Sequence, residues 1–93
     1  MKAGILITSA GAHIGVAPAN GEDYTLEELQ GLVEGLIEIV TLTENTIMVV
    51  NEEGKGCLPK NVFATVIAKS LHAIFPEDYV AGNALICASD MVK

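Results

Sequence analysis

An α+β domain is predicted, with a mixed or mostly antiparallel sheet of about five strands and two helices packed on it. Three features predict it. Thr25 to Val33 reads as a capped amphipathic helix, the segments on either side switch to short β-branched runs, and a second capped apolar run starts at Asn61. At 93 residues the chain has the length of one domain, residues 1–93, which buries only about two-thirds of its unfolded surface.

Lys2 to Ser9, KAGILITS, is a short apolar run that suits a strand buried on both faces, or a central one. His13 to Ala17 gives a second strand, joined to the first by a hairpin through SAGA, and PANG at 18–21 makes a turn. Thr25 with Glu28 forms a capping-box pattern, with Tyr24 as the entry staple. Leu26, Leu29, Leu32 and Val33 then recur at helical spacing, with acids between them. Gly31 is expected to pack closely on the sheet, and Gly35 to end the helix in a left-handed conformation.

From Leu36 to Leu42 the pattern nearly alternates, and Thr46 to Val50 comes after a short turn, so the two should pair as an antiparallel hairpin. NEEGKG at 51–56 is a polar glycine-bearing turn, and Pro59 blocks any regular strand beyond it. Asn61 caps a helix expected to run to Phe75, where Pro76 stops it. Glu77 to Asn83 is a loop carrying Tyr79, Ala84 to Ala88 a final buried strand, and Met91 to Lys93 a tail.

Composition narrows the function. The hydrophobic fraction is 51% with only 4% aromatics, and the mean hydropathy is +0.45. The core is therefore aliphatic, and the apolar excess points to self-association into a homo-oligomer. No apolar run reaches the length of about 20 residues that crosses a bilayer. With no convincing signal-peptide segment, the expected compartment is the cytoplasm. The net charge is −7 and all five basic residues are lysines. Without arginine, the usual bidentate reader of phosphate and guanine, direct nucleic-acid binding is not expected.

No catalytic constellation, metal-ligand spacing or cofactor motif is present. His13 and His72 have no His or Cys partner three or four residues away. Cys57 and Cys87 read as small hydrophobes. Ser9 to Gly15, SAGAHIG, carries two glycines after a strand; its amides either cradle an anion or make a plain hairpin, the plainer geometry being favoured. The acids of the 51–56 turn lack the spaced ligands of an EF-hand.

LEELQGLVEGLIEIV, the strand ending in Val49 and Val50, NEEGKG, LPKN and EDYVAGNALICA together resemble a family of short uncharacterised proteins, domain of unknown function 3846. Its members are encoded by phages, plasmids and other mobile elements. The resemblance runs over most of the chain after Tyr24, with the first twenty residues and the run from Val62 to Phe75 less alike. It implies a mobile-element protein acting in a bacterial host cell, and it transfers no functional residue.

Three functional readings compete. The first is a non-enzymatic binding protein that sequesters a small nucleotide-like ligand in an oligomeric assembly, which the resemblance connects to counter-defence. Its candidate residues are Ser9, Gly11 and His13 in the loop, with Lys60 and Lys69, beside Lys2 and Lys55, to hold phosphates. Tyr24, Phe63 and Tyr79 are available to stack on a base. The second reading is an inhibitor or adaptor that meets a basic host protein with an acidic helix face of Glu27, Glu28, Glu34 and Glu38. The third is a small hydrolase or lyase using His13 or His72. The loop at 9–15 and the helix after Asn61 are where a site is expected.

Overall fold

The structure, a computed structural model, describes residues 2–92; Met1 and Lys93, the end of the expected tail, lie outside them. Its strands are β1 (Gly4–Ile7), β2 (His13–Val16), β3 (Ile37–Thr41), β4 (Thr46–Asn51) and β5 (Ala84–Ala88), with helices α1 (Leu26–Val33) and α2 (Val62–Ser70). They form one five-stranded sheet in the order β2-β1-β5-β4-β3. Every pairing of named strands is antiparallel.

Because side chains alternate across a strand, the interior strand β4, between β5 and β3, feeds two cores. Ile47 and Val49 join Leu29 and Val33 of α1, together with Leu6, Leu85 and Cys87. Met48 and Val50 join Ala64 and Ala68 of α2, with Val80 and Ala84. The helices therefore cover opposite faces. The two cores differ in chemistry: α1 brings branched side chains, while α2 brings alanines.

The Thr25 box forms as the sequence predicts: its hydroxyl accepts from the Glu28 amide at 3.1 Å and its own amide donates to Glu28 at 2.8 Å. The Ala19 amide also donates to Glu28, at 2.9 Å. These backbone bonds hold the Glu28 carboxyl below its ordinary value. Tyr24 is 4% exposed, a core residue. Its hydroxyl accepts from the Gly4 amide and donates to the Val16 carbonyl, tying both strands of the first hairpin to the helix entry.

The helix ends differ from expectation. At the end of α1 the left-handed residue is Glu34, with φ 66°, and not Gly35. Gly35 is needed for another reason: a Cβ there would come within 2.7 Å of Asn51 Nδ2, the group that donates to the Val33 carbonyl at 3.0 Å. Nor does Gly31 pack on the sheet, since a Cβ added to it meets nothing within 4 Å. Gly31→Ala and Glu34→Gly should therefore each raise stability by about 0.5–1 kcal/mol, read as a later denaturant midpoint at unchanged slope. The first removes an unneeded helix glycine and the second relieves a left-handed side chain.

Helix α2 stops at Ser70, five residues before the expected Phe75. Pro76 is not what ends it. His72 takes φ 56°, its amide donates to the Lys69 carbonyl, and the Ala73 amide reaches back to the Ala68 carbonyl at 2.8 Å. These paired bonds are a Schellman ending with histidine in the place usually taken by glycine. The expected tail is also anchored. Met91 is 2% exposed, its carbonyl accepts from the Tyr24 amide at 2.9 Å, and Val92 bridges Tyr24 in parallel.

Candidate ligand-binding site

The polar turn after β4 and the segment leading into β5 fold against each other. Gly54 is buried, and a Cβ on it would lie 2.8 Å from the Ala81 carbonyl oxygen. Its own carbonyl accepts from the Cys57 and Leu58 amides. Lys60 pairs with Ala81, and the Gly82 amide donates to the Pro59 carbonyl at 2.7 Å. Pro59 thus ends regular strand while still offering an acceptor.

This packing places two cations over one aromatic ring. Lys55 Nζ lies 5.6 Å and Lys60 Nζ 5.9 Å from the centroid of Tyr79, within cation–π range. Lys55 also bonds the Asp78 carboxylate, whose Oδ1 accepts from the Tyr79 amide at 2.8 Å. That lysine, and then the Tyr79 amide, hold the Asp78 carboxyl below its ordinary value, while Asp78 holds the Lys55 ammonium above its own. Lys69, in the last turn of α2, adds its field at Asp78. Three of the five lysines of an acidic chain therefore surround Asp78 and Tyr79.

Beside the cluster is a cavity of about 100 Å³ that Lys55, Asp78 and Tyr79 help to line. Through Glu38, Val40, Ile74 and Asp78 it adjoins a larger open groove of about 590 Å³ between β3 and residues 72–76. The volume matches that of small-molecule sites. Glu38 and Glu52 also contribute to the smaller cavity, so an anion there depends on the lysines.

The other expected residues divide into two groups. Gly11, His13 and Phe63 meet where the first hairpin turn touches the first turn of α2: the His13 and Phe63 rings are edge to face at 5.2 Å, and a Cβ on Gly11 would sit 3.3 Å from the Phe63 ring. Ser9 lies in the same hairpin turn. The turn's amides are directed inward, Gly11 donating to the Thr8 carbonyl and Ala12 to the Thr8 hydroxyl. That is the plain hairpin, and those two amides have no bond left for an anion. Tyr24, buried with its hydroxyl used twice, stays in the core as a structural residue. Lys60, Lys69 and Tyr79 belong to the cluster above. Lys55 gains its place in the site only from the fold of its turn.

The acidic residues of the second reading do not share a face. Glu28 is committed to its cap. Glu38 pairs with Val50 and so points to the α2 side of the sheet, away from α1. Among the described residues no group of three His, Cys, Asp or Glu is placed to hold a metal ion, and no helix is long and apolar enough to cross a membrane.

The thiols differ sharply. Cys57 is exposed and Cys87 buried, and burial pushes the Cys87 thiol up to about 11. At pH 8 a disulfide reagent should titrate Cys57 at once and Cys87 only after denaturant is added. Two fast thiols in the native protein would contradict this packing.

The family model described as a domain of unknown function (DUF3846) matches residues 1–91. The chain belongs to that family. No curated protein and no solved structure matches it. The DUF3846 match takes in both the first hairpin and α2, the two stretches in which the sequence resemblance is weaker. The lysine cluster lies within the matched span as well.

Proposed function

We propose that this DUF3846 chain is a non-enzymatic binding protein that sequesters a small nucleotide-like ligand, its base stacked on Tyr79 and its phosphate held by Lys55 and Lys60. The observation that carries the proposal is the convergence of those lysines on one aromatic ring beside a cavity. An ammonium suits phosphate as a point charge, and a tyrosine face accepts any base. Asp78 bonds Lys55, so a phosphate has to compete with that carboxylate.

Stacking is worth about 1–3 kcal/mol and each of the two charge-assisted bonds about 1.5–3 kcal/mol, roughly 4–9 kcal/mol before ordering costs, which puts the affinity for a mononucleotide at about 0.1–1 mM. The biological setting we propose is counter-defence by a phage or mobile-element protein in the bacterial cytoplasm. It is supported by the family resemblance, and it makes cyclic and linear nucleotide signals the first ligands to try.

Isothermal titration of a nucleotide panel tests the reading. Tyr79→Ala and the pair Lys55→Ala, Lys60→Ala should each weaken binding at least about tenfold. Asp78→Asn should tighten it, because that change removes a competing carboxylate. Added salt should weaken it. A wild-type protein that binds no nucleotide at millimolar concentration would exclude the proposal.

A further inference from the structure

The strand β3 is an edge whose one protective feature is the charge of Glu38. It stands last in the sheet order, runs in unbroken one-to-one register with β4 from Ile37 to Thr41, and reads IEIVT. Natural edges are blunted by lysine, proline, bulges or a covering segment. β3 contains no lysine, proline or bulge, and three of its five residues are β-branched apolar ones.

The direction of its free backbone groups is set by the ladder. The Leu42 amide donates to the Thr46 carbonyl, and the Glu52 amide to the Leu36 carbonyl. In an antiparallel pair the bonded residues alternate, so Glu38 and Val40 face β4. Ile37, Ile39 and Thr41 are left with amide and carbonyl directed outward. Apolar side chains flank this edge on both faces of the sheet. Ile39 is 42% exposed on the α1 face and neighbouring Leu36 53%. On the α2 face, Phe75 is 73% exposed and lines the same groove as Val40.

We infer that β3 is the dimerisation edge, pairing antiparallel with β3 of a second copy of this chain about a two-fold axis at Ile39. The outward groups are symmetric about that residue, which is what an isologous interface requires. Ile39 then faces its own counterpart, and Ile37 faces Thr41 in each direction, each pair exchanging both backbone bonds. Glu38 lies opposite the partner's Val40, so the strand's one charge avoids its counterpart; a register centred on Glu38 would set two carboxylates face to face. The sheets join into one continuous sheet, and the exposed Leu36, Ile39 and Phe75 lie along the seam. The ligand proposal does not depend on this pairing.

Sedimentation equilibrium of the full chain, with amide hydrogen exchange by NMR, tests the inference. The wild type should be a dimer whose Ile37, Ile39 and Thr41 amides are protected. Dimerisation should tighten with added salt, because each copy carries a net charge of −7. Ile39→Lys should weaken the dimer roughly 100-fold and expose those amides to fast exchange while the rest of the sheet stays protected. Ile14→Lys, on the opposite edge strand β2, should leave the dimer intact. A monomeric wild type at several hundred micromolar would overturn the inference and leave the edge to an extended peptide of another protein. A dimer that survives Ile39→Lys, or is lost in Ile14→Lys, would overturn it equally.

Discussion

Asn61→Asp should destabilise the protein by about 3 kcal/mol or more, although it exchanges one good helix cap for another. Asn61 is fully buried, at 0% exposure. Its Oδ1 accepts from the Ala64 amide at 3.0 Å and so caps α2. Its Nδ2 donates to the carbonyls of Ile7 at 2.9 Å and Gly82 at 2.8 Å. One side chain thus ties β1, the approach to β5 and the start of α2 together. Aspartate keeps the capping oxygen but turns a second oxygen toward two carbonyl oxygens and buries a charge without a cation. Asn61→Ala loses the cap and both donors without adding the repulsion, so it should fall between wild type and Asn61→Asp. Thermal melts of the three proteins test the order, with about 4–8 °C lost per kcal/mol in a domain of this size. A melt for Asn61→Asp within about 2 °C of wild type would show that the donor bonds contribute little.

Asn61 also marks what the sequence conveys and what it does not. Its capping role is legible, because an asparagine before an apolar run is a local signal. Its other two bonds, to residues 54 and 21 positions away, depend on tertiary contact. The same division holds elsewhere. The Thr25 box, the 37–51 hairpin and the antiparallel sheet are encoded in spacing and alternation. The ends of both helices are not, because Glu34 and His72 take left-handed conformations that local propensity disfavours and the Schellman bonds support. The candidate site shows it most clearly. Tyr79 and Lys60 are readable as an aromatic and a cation, but their meeting with Lys55 depends on Gly54 lying against Ala81. The 51–56 segment reads in sequence as a solvated turn with one candidate lysine, Lys55, whereas the 9–15 loop, whose glycines suggest an anion cradle, directs its Gly11 and Ala12 amides onto Thr8.

Gly4→Ala should cost about 2–4 kcal/mol, and part of that cost should vanish when Tyr24 is phenylalanine. A Cβ on Gly4 would lie 2.7 Å from the Tyr24 hydroxyl, 2.9 Å from the Ile86 carbonyl oxygen and 3.1 Å from Cys87 Cβ. The last two belong to the neighbouring central strand and have little room to yield. The hydroxyl is different, because it is itself a ligand of Gly4: it accepts the Gly4 amide at 2.9 Å and passes a bond on to the Val16 carbonyl. Tyr24→Phe alone leaves that amide and carbonyl without their partner in a site only 4% exposed, a loss of about 2–3 kcal/mol. The burial that desolvates the hydroxyl also raises its pKa above the ordinary tyrosine value, so it stays protonated as a donor through the neutral range. In the double variant the alanine methyl moves into the space the hydroxyl has left. The Ile86 and Cys87 contacts remain, which limits the recovery. Urea melts of the four proteins in the cycle should therefore give a favourable coupling of about 1 kcal/mol, with the double variant still less stable than either single variant. Strict additivity would mean that the strand moves as a body to accept the methyl. In that case the close approach at Gly4 would be set by β5 alone, and the hydroxyl would act purely as a hydrogen-bond bridge.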